Sequence, residues 1–218
     1  MIIIRLISSL ALLQIATLTG AELKTGPMLP HRLVRNWAKL PPGWNFGECS
    51  SVSVDKNDNV WVYNRSKRPV IEFDKDGNVL QAWGEDVMTG PHGIKIDADG
   101  YVWTVDRTGQ VLFKLTPLGR VLMTIGRVGY PLDNNSKDGF HDPTAISFAP
   151  NGDMYVSDGY VNSRVIKFNK DGEYLLLCAQ FKRGSSKRAL PPGRCSARSI
   201  ATGRFSRADC PVSTLRAS

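Results

Sequence analysis

The sequence predicts an all-β chain of β-propeller type. Three observations carry that reading: an internal repeat with a period near 40 residues, short strands inside each copy, and turns built on Asp or Asn next to Gly. The copies begin at Ser50 ("SSVSVDKNDNVWVYNRSKRPVIEFDKDGNVLQAWG"), His92 ("HGIKIDADGYVWTVDRTGQVLFKLTPLGRVLMTIG") and Thr144 ("TAISFAPNGDMYVSDGYVNSRVIKFNKDGEYLLLCA"). Val52, Ile94 and Ile146 correspond, as do Trp61, Trp103 and Tyr155, and Gly77, Gly119 and Gly172. The first spacing is 42 residues and the later ones are 52 and 53, because the segment Val128–Asp142 is inserted between copies.

Each copy reads as four strands. The first is apolar at alternate positions ("VSV", "IKI", "ISF"). A turn follows ("KNDN", "DADG", "APNG") whose residues tolerate positive φ. The second strand is "VWVYN", "YVWTVD" or "DMYVSD", and the third "VIEFD", "VLFKLT" or "VIKFN". A "DKDG", "TPLG" or "NKDG" turn leads to the fourth, "VLQAW", "VLMTI" or "YLLLC". Four antiparallel strands per repeat make a propeller blade. The alternative, a β-sandwich of unrelated strands, would not repeat aromatic and turn positions in register. The blades fall at about 49–84, 91–126 and 143–179, inside a partial propeller spanning 33–181. Closed propellers use about four to eight blades, so three are expected to be part of a larger parent. The stretch "HRLVRNWAKLPPG" before the first copy reads as a lone outer strand that would complete another blade.

The segments flanking the repeats are of another kind. Residues 1–21 hold one early cation, Arg5, then an apolar run from Leu6 to Leu18 and a small-residue end at Ala21. This is the layout of a cleaved signal peptide, with a membrane anchor as the alternative. The expected location is outside the cytoplasm: secreted, periplasmic or in the lumen of the secretory pathway. No membrane contact is expected after cleavage. The chain's net +8 lies entirely in residues 182–218, which hold nine Lys or Arg against the single acidic Asp209, while residues 1–181 carry nineteen of each sign. Basicity therefore gives the body no argument for a nucleic-acid partner. Periodicity and charge balance end together near Phe181. The tail is expected to be either a disordered basic extension or a product of a shifted reading frame. The four Cys show no C-x-x-C spacing, which argues against a zinc knuckle; Cys49 and Cys178 read as buried thiols. Asn64 and Asn134 open N-glycosylation sequons. Asp106 and Asp158, which end second strands, are expected to cap turns.

The repeats resemble NHL-repeat propellers, and three stretches narrow the likeness: "LPPGWNFGECSSVSVDKNDNVWVYNR", "GPHGIKIDADGYVWTVD" and "FHDPTAISFAPNGDMYVSDGYVNSRVIKF". Over roughly residues 33–180 they are similar to the peptidyl-α-hydroxyglycine α-amidating lyases. That resemblance implies a six-bladed parent of which this chain holds about three blades. It also implies an activity, cleavage of a peptidyl-α-hydroxyglycine into a peptide amide and glyoxylate, with zinc in a central cavity and a structural calcium. His92 of "PHGI" matches the family's first zinc-binding His, and a catalytic zinc takes about three protein ligands. Ser50 and Thr144 stand at that place in the other blades. Tyr160 of "SDGY" matches the catalytic Tyr, and Arg65 of "YNRS" the active-site Arg; Arg107 occupies the same place in the second copy. The carbonyls of Val52 and Ile94 match calcium ligands, a metal that needs about six to eight oxygens. The family's disulfide beside "SDGY" has no counterpart, because Val161 and His141 stand at its positions.

Two functions follow. One is an exported lyase of this type, acting on a peptide substrate and inactive as a 218-residue form because the metal ligands are incomplete. The other is a non-enzymatic propeller that binds a peptide or protein on its loop face.

Overall fold

The computed structural model describes residues 30–180. The expected signal segment and the basic tail lie outside the described residues. Residues 30–35 form neither strand nor helix. From Asn36 onward the described chain is all-β, with twelve strands in three four-stranded antiparallel sheets and no helix among the described residues. The first sheet holds β1 (Cys49–Val54), β2 (Val60–Asn64), β3 (Val70–Phe73) and β4 (Val79–Trp83). The second holds β5 (Pro91–Ile96), β6 (Val102–Asp106), β7 (Val111–Leu115) and β8 (Val121–Gly126). The third holds β9 (Pro143–Phe148), β10 (Met154–Asp158), β11 (Arg164–Phe168) and β12 (Tyr174–Gln180). Each sheet is a meander in chain order, the blade architecture that the repeat predicts.

The turns show why the repeat folds this way. Asp55 takes the N–H groups of Asn57 and Asn59 on one carboxylate oxygen and the Trp61 indole N–H on the other, at 3.1 Å. Asp97 does the same for Asp99, Tyr101 and Trp103, with the indole at 2.9 Å. A carboxylate that closes its own turn also anchors the blade's central aromatic. In the third copy Ala149 replaces the Asp and Tyr155 replaces the Trp, so both partners change together.

The blades pack through two shared cores. Trp61, Tyr63 and Val70 of the first meet Ile94, Val102 and Phe113 of the second. Trp103, Val105 and Leu112 of the second meet Ile146, Met154 and Phe168 of the third. Strands β1, β5 and β9 are the inner neighbours. Between β1 and β5 the contact is polar: the N–H groups of Ile94 and Ile96 donate to the hydroxyls of Ser51 and Ser53. The alternation in "VSV" therefore runs opposite to a simple hydrophobic reading, with Ser53 buried and Val52 and Val54 58% and 56% exposed.

Among the described residues, the segment before β1 pairs with no strand of another blade. It lies on the first blade, where Trp37, Leu40, Trp44 and Phe46 pack on Val62, Ile71 and Phe73. Its one ladder contact is a parallel bridge from Lys39 to Asn78. Gly77 makes room for this crossing: at φ +84° it adopts the left-handed region, and a Cβ there would stand 1.8 Å from the Trp37 carbonyl oxygen. Cys178 is buried as expected. Cys49 is exposed, because the register shift between Cys49 and Ser51 takes it out of the strand's alternation.

Candidate functional site

His92 enters β5 beside Gly93, which has no room for a side chain: a Cβ would lie 2.8 Å from the Thr144 carbonyl oxygen. That close approach brings β9 to the imidazole. His92 Nδ1 lies 2.7 Å from the Thr144 carbonyl oxygen. A carbonyl can only accept, so Nδ1 carries the hydrogen and Nε2 is left with the lone pair in the neutral ring. Ser50 and Thr144, at the same place in the other copies, turn back instead to Tyr63 and Ser157 of their own blades. Of the three, His92 alone reaches across to the next blade.

Tyr160 meets it there. The phenol oxygen is 3.2 Å from His92 Nε2, and the rings meet edge-to-face with centroids 5.4 Å apart. Tyr160 is 52% exposed. Over its ring, 4.7 Å from the centroid, sits the guanidinium of Arg107, within cation–π range. Arg107 Nε donates to Asp142 at 3.3 Å. Asp142 is gripped by Gln110 from both sides, through Gln110 Nε2 to its carboxylate at 2.9 Å and its own N–H to Gln110 Oε1 at 2.7 Å. Gln110 and Asp142 are both left-handed, at φ +62° and +60°. Such conformations cost about 1–3 kcal/mol each and persist where the surroundings enforce them.

The loop carrying Tyr160 is set by the rest of "SDGYVNSR". Asn162 donates to the Leu132 carbonyl, and Ser163 N–H to the Asn134 side chain. Arg164, almost wholly buried, pairs with Asp158 at 2.9 Å and donates to the carbonyls of Asn134, Ser136 and Gly139. The inserted segment is thus fastened to the Tyr160 loop. Asp158 also accepts from the His141 N–H and from Asn162, and burial nonetheless pushes its carboxyl up from the usual range against the pull of Asn162 and Arg164. Asp106 at the equivalent place takes the N–H groups of Thr89, Gly90 and Gly109. Both aspartates cap loops, as the sequence suggests.

The remaining candidates lie elsewhere. Arg65 pairs with Glu48 on the surface, and no contact joins it to His92 or Tyr160 among the described residues. The Asp55 N–H bonds the Asn59 carbonyl and the Asp97 N–H the Tyr101 carbonyl. Antiparallel alternation then turns the Val52 and Ile94 carbonyls away from β2 and β6, off the inner edge of each sheet. The same count turns out Ile146, which sequence reasoning did not select. Its position in the repeat could have found it.

Zinc fits these residues poorly. The single imidazole acceptor already takes Tyr160, and no group of three His, Cys, Asp or Glu able to hold a metal occurs among the described residues. Two or three carbonyls are likewise fewer than calcium needs. Asn64 has no exposed surface and its amide nitrogen is bonded to the Arg68 and Pro69 carbonyls, so its sequon is closed in the fold.

No protein-family profile matches the chain. It is similar to peptidyl-alpha-hydroxyglycine alpha-amidating lyase 2 of Drosophila melanogaster, at 30% identity over 169 residues, covering 66% of this chain and 41% of that protein. Peptidylglycine alpha-amidating monooxygenase of Rattus norvegicus is 30% identical over 178 residues, covering 69% and 18%. NHL repeat-containing protein 3 of Homo sapiens is 29% identical over 173 residues, covering 74% and 49%. The chain thus spans less than half the length of each of these relatives. Among solved structures, a Bacteroides thetaiotaomicron protein of unknown function aligns with a TM-score of 0.50 at 18% identity, over 61% of this chain and 36% of that one. The chain is an NHL-repeat β-propeller chain related to the amidating lyases.

Proposed function

We propose that this chain is an exported propeller of the amidating-lyase type, which presents a peptide-facing site where His92 of β5 meets the loop that carries Tyr160. The carrying observation is the His92–Tyr160 contact: a tautomer-fixed imidazole accepts from an exposed phenol. Such a pair can move a proton. Tyr160 oxygen takes the proton of a substrate α-hydroxyl while its own passes to His92 Nε2, and the Thr144 carbonyl holds the other ring nitrogen. As the hydroxyl becomes the carbonyl of glyoxylate, the carbon–nitrogen bond breaks. The departing nitrogen then takes up a proton to give the peptide amide. Arg65 enters this reading only through the resemblance, since it pairs with Glu48 away from the His92–Tyr160 contact. Zinc and calcium enter it only through the resemblance, and each needs donors beyond the described residues.

In this proposal the 218-residue form binds peptide without turning it over. One observation favours that outcome: His92 belongs to no group of three His, Cys, Asp or Glu able to hold a metal among the described residues. The test is glyoxylate release from a peptidyl-α-hydroxyglycine, run with stoichiometric zinc measured on the same sample. Peptide binding with no glyoxylate is expected. Turnover that His92→Ala abolishes would mean that the site is complete in this chain.

A further inference from the structure

The loop between β2 and β3 borders a cleft that the His92–Tyr160 contact does not involve. The loop is tied down by its own polar groups. Asn64 Nδ2 donates to the Arg68 and Pro69 carbonyls, the Ser66 N–H to Asn64 Oδ1, and the Arg68 N–H to Ser66 Oγ. Beside it, Trp44 packs on the core of Val62, Ile71 and Phe73. The Arg68 guanidinium lies over the Trp44 ring, 3.9 Å from its centroid. Stacking of this kind leaves the N–H groups free to bond in the guanidinium plane. Both residues line a cleft of about 250 Å³, bounded by residues 43–45 and 66–68.

What the cleft offers is donors. Four of the five Trp give their indole N–H to an acceptor: Trp37 to the Lys75 carbonyl, Trp61 to Asp55, Trp83 to the Pro117 carbonyl and Trp103 to Asp97. Trp44 finds none among the described residues. Lys67 and Arg68 are likewise without a carboxylate partner among them, whereas the neighbouring Arg65 is spent on Glu48. The side-chain oxygens of the lining are already in use. Asn45 Oδ1 takes the Gly47 N–H, and Ser66 Oγ takes the Arg68 N–H and donates to the Arg68 carbonyl. No carboxylate lines the cleft; Glu85 lines a second one on the same loop. An indole N–H, a guanidinium and an ammonium without acceptors suit a ligand that only accepts.

We propose that this cleft is an oxyanion site that takes a sulfate group, free or as the ester on a peptide side chain. A guanidinium edge binds such a group through paired, charge-assisted hydrogen bonds. Sulfate is fully deprotonated near neutral pH, so its terminal oxygens only accept. Inorganic phosphate keeps at least one proton there, and a phosphate monoester loses its last only at about pH 6. That proton needs an acceptor, and the side chains of this lining have none to spare. The site depends neither on the His92–Tyr160 contact nor on turnover.

The test follows the Trp44 indole N–H by NMR in the full chain, at pH 6 and constant ionic strength in chloride. Trp44→Phe identifies the signal by removing it. Inorganic sulfate is expected to shift the signal saturably. It should bind roughly fivefold or more tightly than inorganic phosphate, the scale of one unmet hydrogen bond. Arg68→Gln should weaken sulfate roughly tenfold or more, and Arg68→Lys, which keeps the charge but loses the stacked fork, nearly as much. Lys67→Gln should weaken it too. Lys75→Gln, an exposed cation at the other end of β3, should not. Thermal melting of each variant shows that it remains folded. A signal that sulfate does not move overturns the proposal, as does an affinity that survives in both Arg68 variants. Phosphate bound as tightly as sulfate overturns it as well, since the cleft would then respond to charge alone. A third probe, N-acetyl-O-sulfotyrosine amide, distinguishes the source. Binding tighter than that of sulfate assigns the site to a peptide ester and weaker binding to the free anion, and each supports the site itself.

Discussion

The second and third blades end their second strands with the same residue and use it differently. Asp106 and Asp158 are both without exposed surface. Asp106 gathers backbone N–H groups from a tight loop, with the Thr89 hydroxyl as a further donor. Asp158 instead faces a buried guanidinium, Arg164, whose remaining N–H groups reach the carbonyls of the inserted segment. One repeat position thus serves a local cap in one blade and a long-range fastening in the next. The fastening is what a blade needs if its loop must hold a side chain such as Tyr160 against its neighbour. Breaking it should cost the most. Arg164→Met leaves Asp158 buried without its cation and three carbonyls without their donor. We expect about 3–5 kcal/mol of lost stability in urea unfolding, and loss of amide exchange protection across 132–139. A loss below about 1 kcal/mol would mean that the inserted segment does not depend on Arg164.

The matching change in the second blade should be smaller and should stay local. Asp106→Asn keeps one acceptor oxygen but turns an NH2 group onto N–H donors that it cannot satisfy. That predicts about 1–3 kcal/mol, with exchange protection across 132–139 unchanged. Equal effects on that segment from the two variants would erase the distinction between cap and fastening.

The sequence reveals the cap more readily than the fastening, for a physical reason. Asx turns, glycines at positive φ and the coupled Asp–Trp pairs at 55 and 61 and at 97 and 103 are local, so they recur in register and can be read from one chain. The inserted segment is visible as extra length between the second and third copies, but nothing in "NSR" says that Arg164 reaches residues 28 and 30 positions earlier. Arg65 and Arg107 look alike as repeat positions. Only the packing between blades tells them apart, since Arg107 meets Tyr160 of the next blade and Arg65 returns to Glu48. The segment around Trp37 was legible as apolar and extended, but its destination on Phe73 depends on a crossing at Gly77 with no local signature.

A gentler probe of the junction is the His92 ring itself. The Thr144 carbonyl fixes hydrogen on Nδ1, so nitrogen-15 spectra of the neutral ring should show Nδ1 protonated and Nε2 bare. Tyr160→Phe removes the donor to Nε2 but leaves the edge-to-face contact and the Thr144 bond. We therefore expect a stability change of about 0.5–1.5 kcal/mol or less, with the tautomer unchanged. A ring protonated on Nε2 would reverse the direction of the His92–Tyr160 bond and remove the basis for proton transfer from the phenol.

The smallest effect concerns how the fastening responds to pH, and its sign decides which force governs it. Burial raises the Asp158 carboxyl above the ordinary carboxylate range, and this outweighs the hydrogen bonds from Asn162 and Arg164 that pull it down. The native state then holds this proton more tightly than the unfolded chain does. Its contribution to stability is fully present below the unfolded value, near pH 4, and is lost as the pH rises through the raised native value. Asp158→Asn has no such titration. The stability of the wild-type chain relative to Asp158→Asn should therefore fall as urea unfolding is repeated from about pH 3 toward pH 6. A relative stability that rises over the same range would mean that attraction to Arg164 exceeds the cost of burying the charge. The fastening of the third blade would then be a stabilising ion pair, where burial alone predicts a carboxylate held at a cost for the sake of loop position.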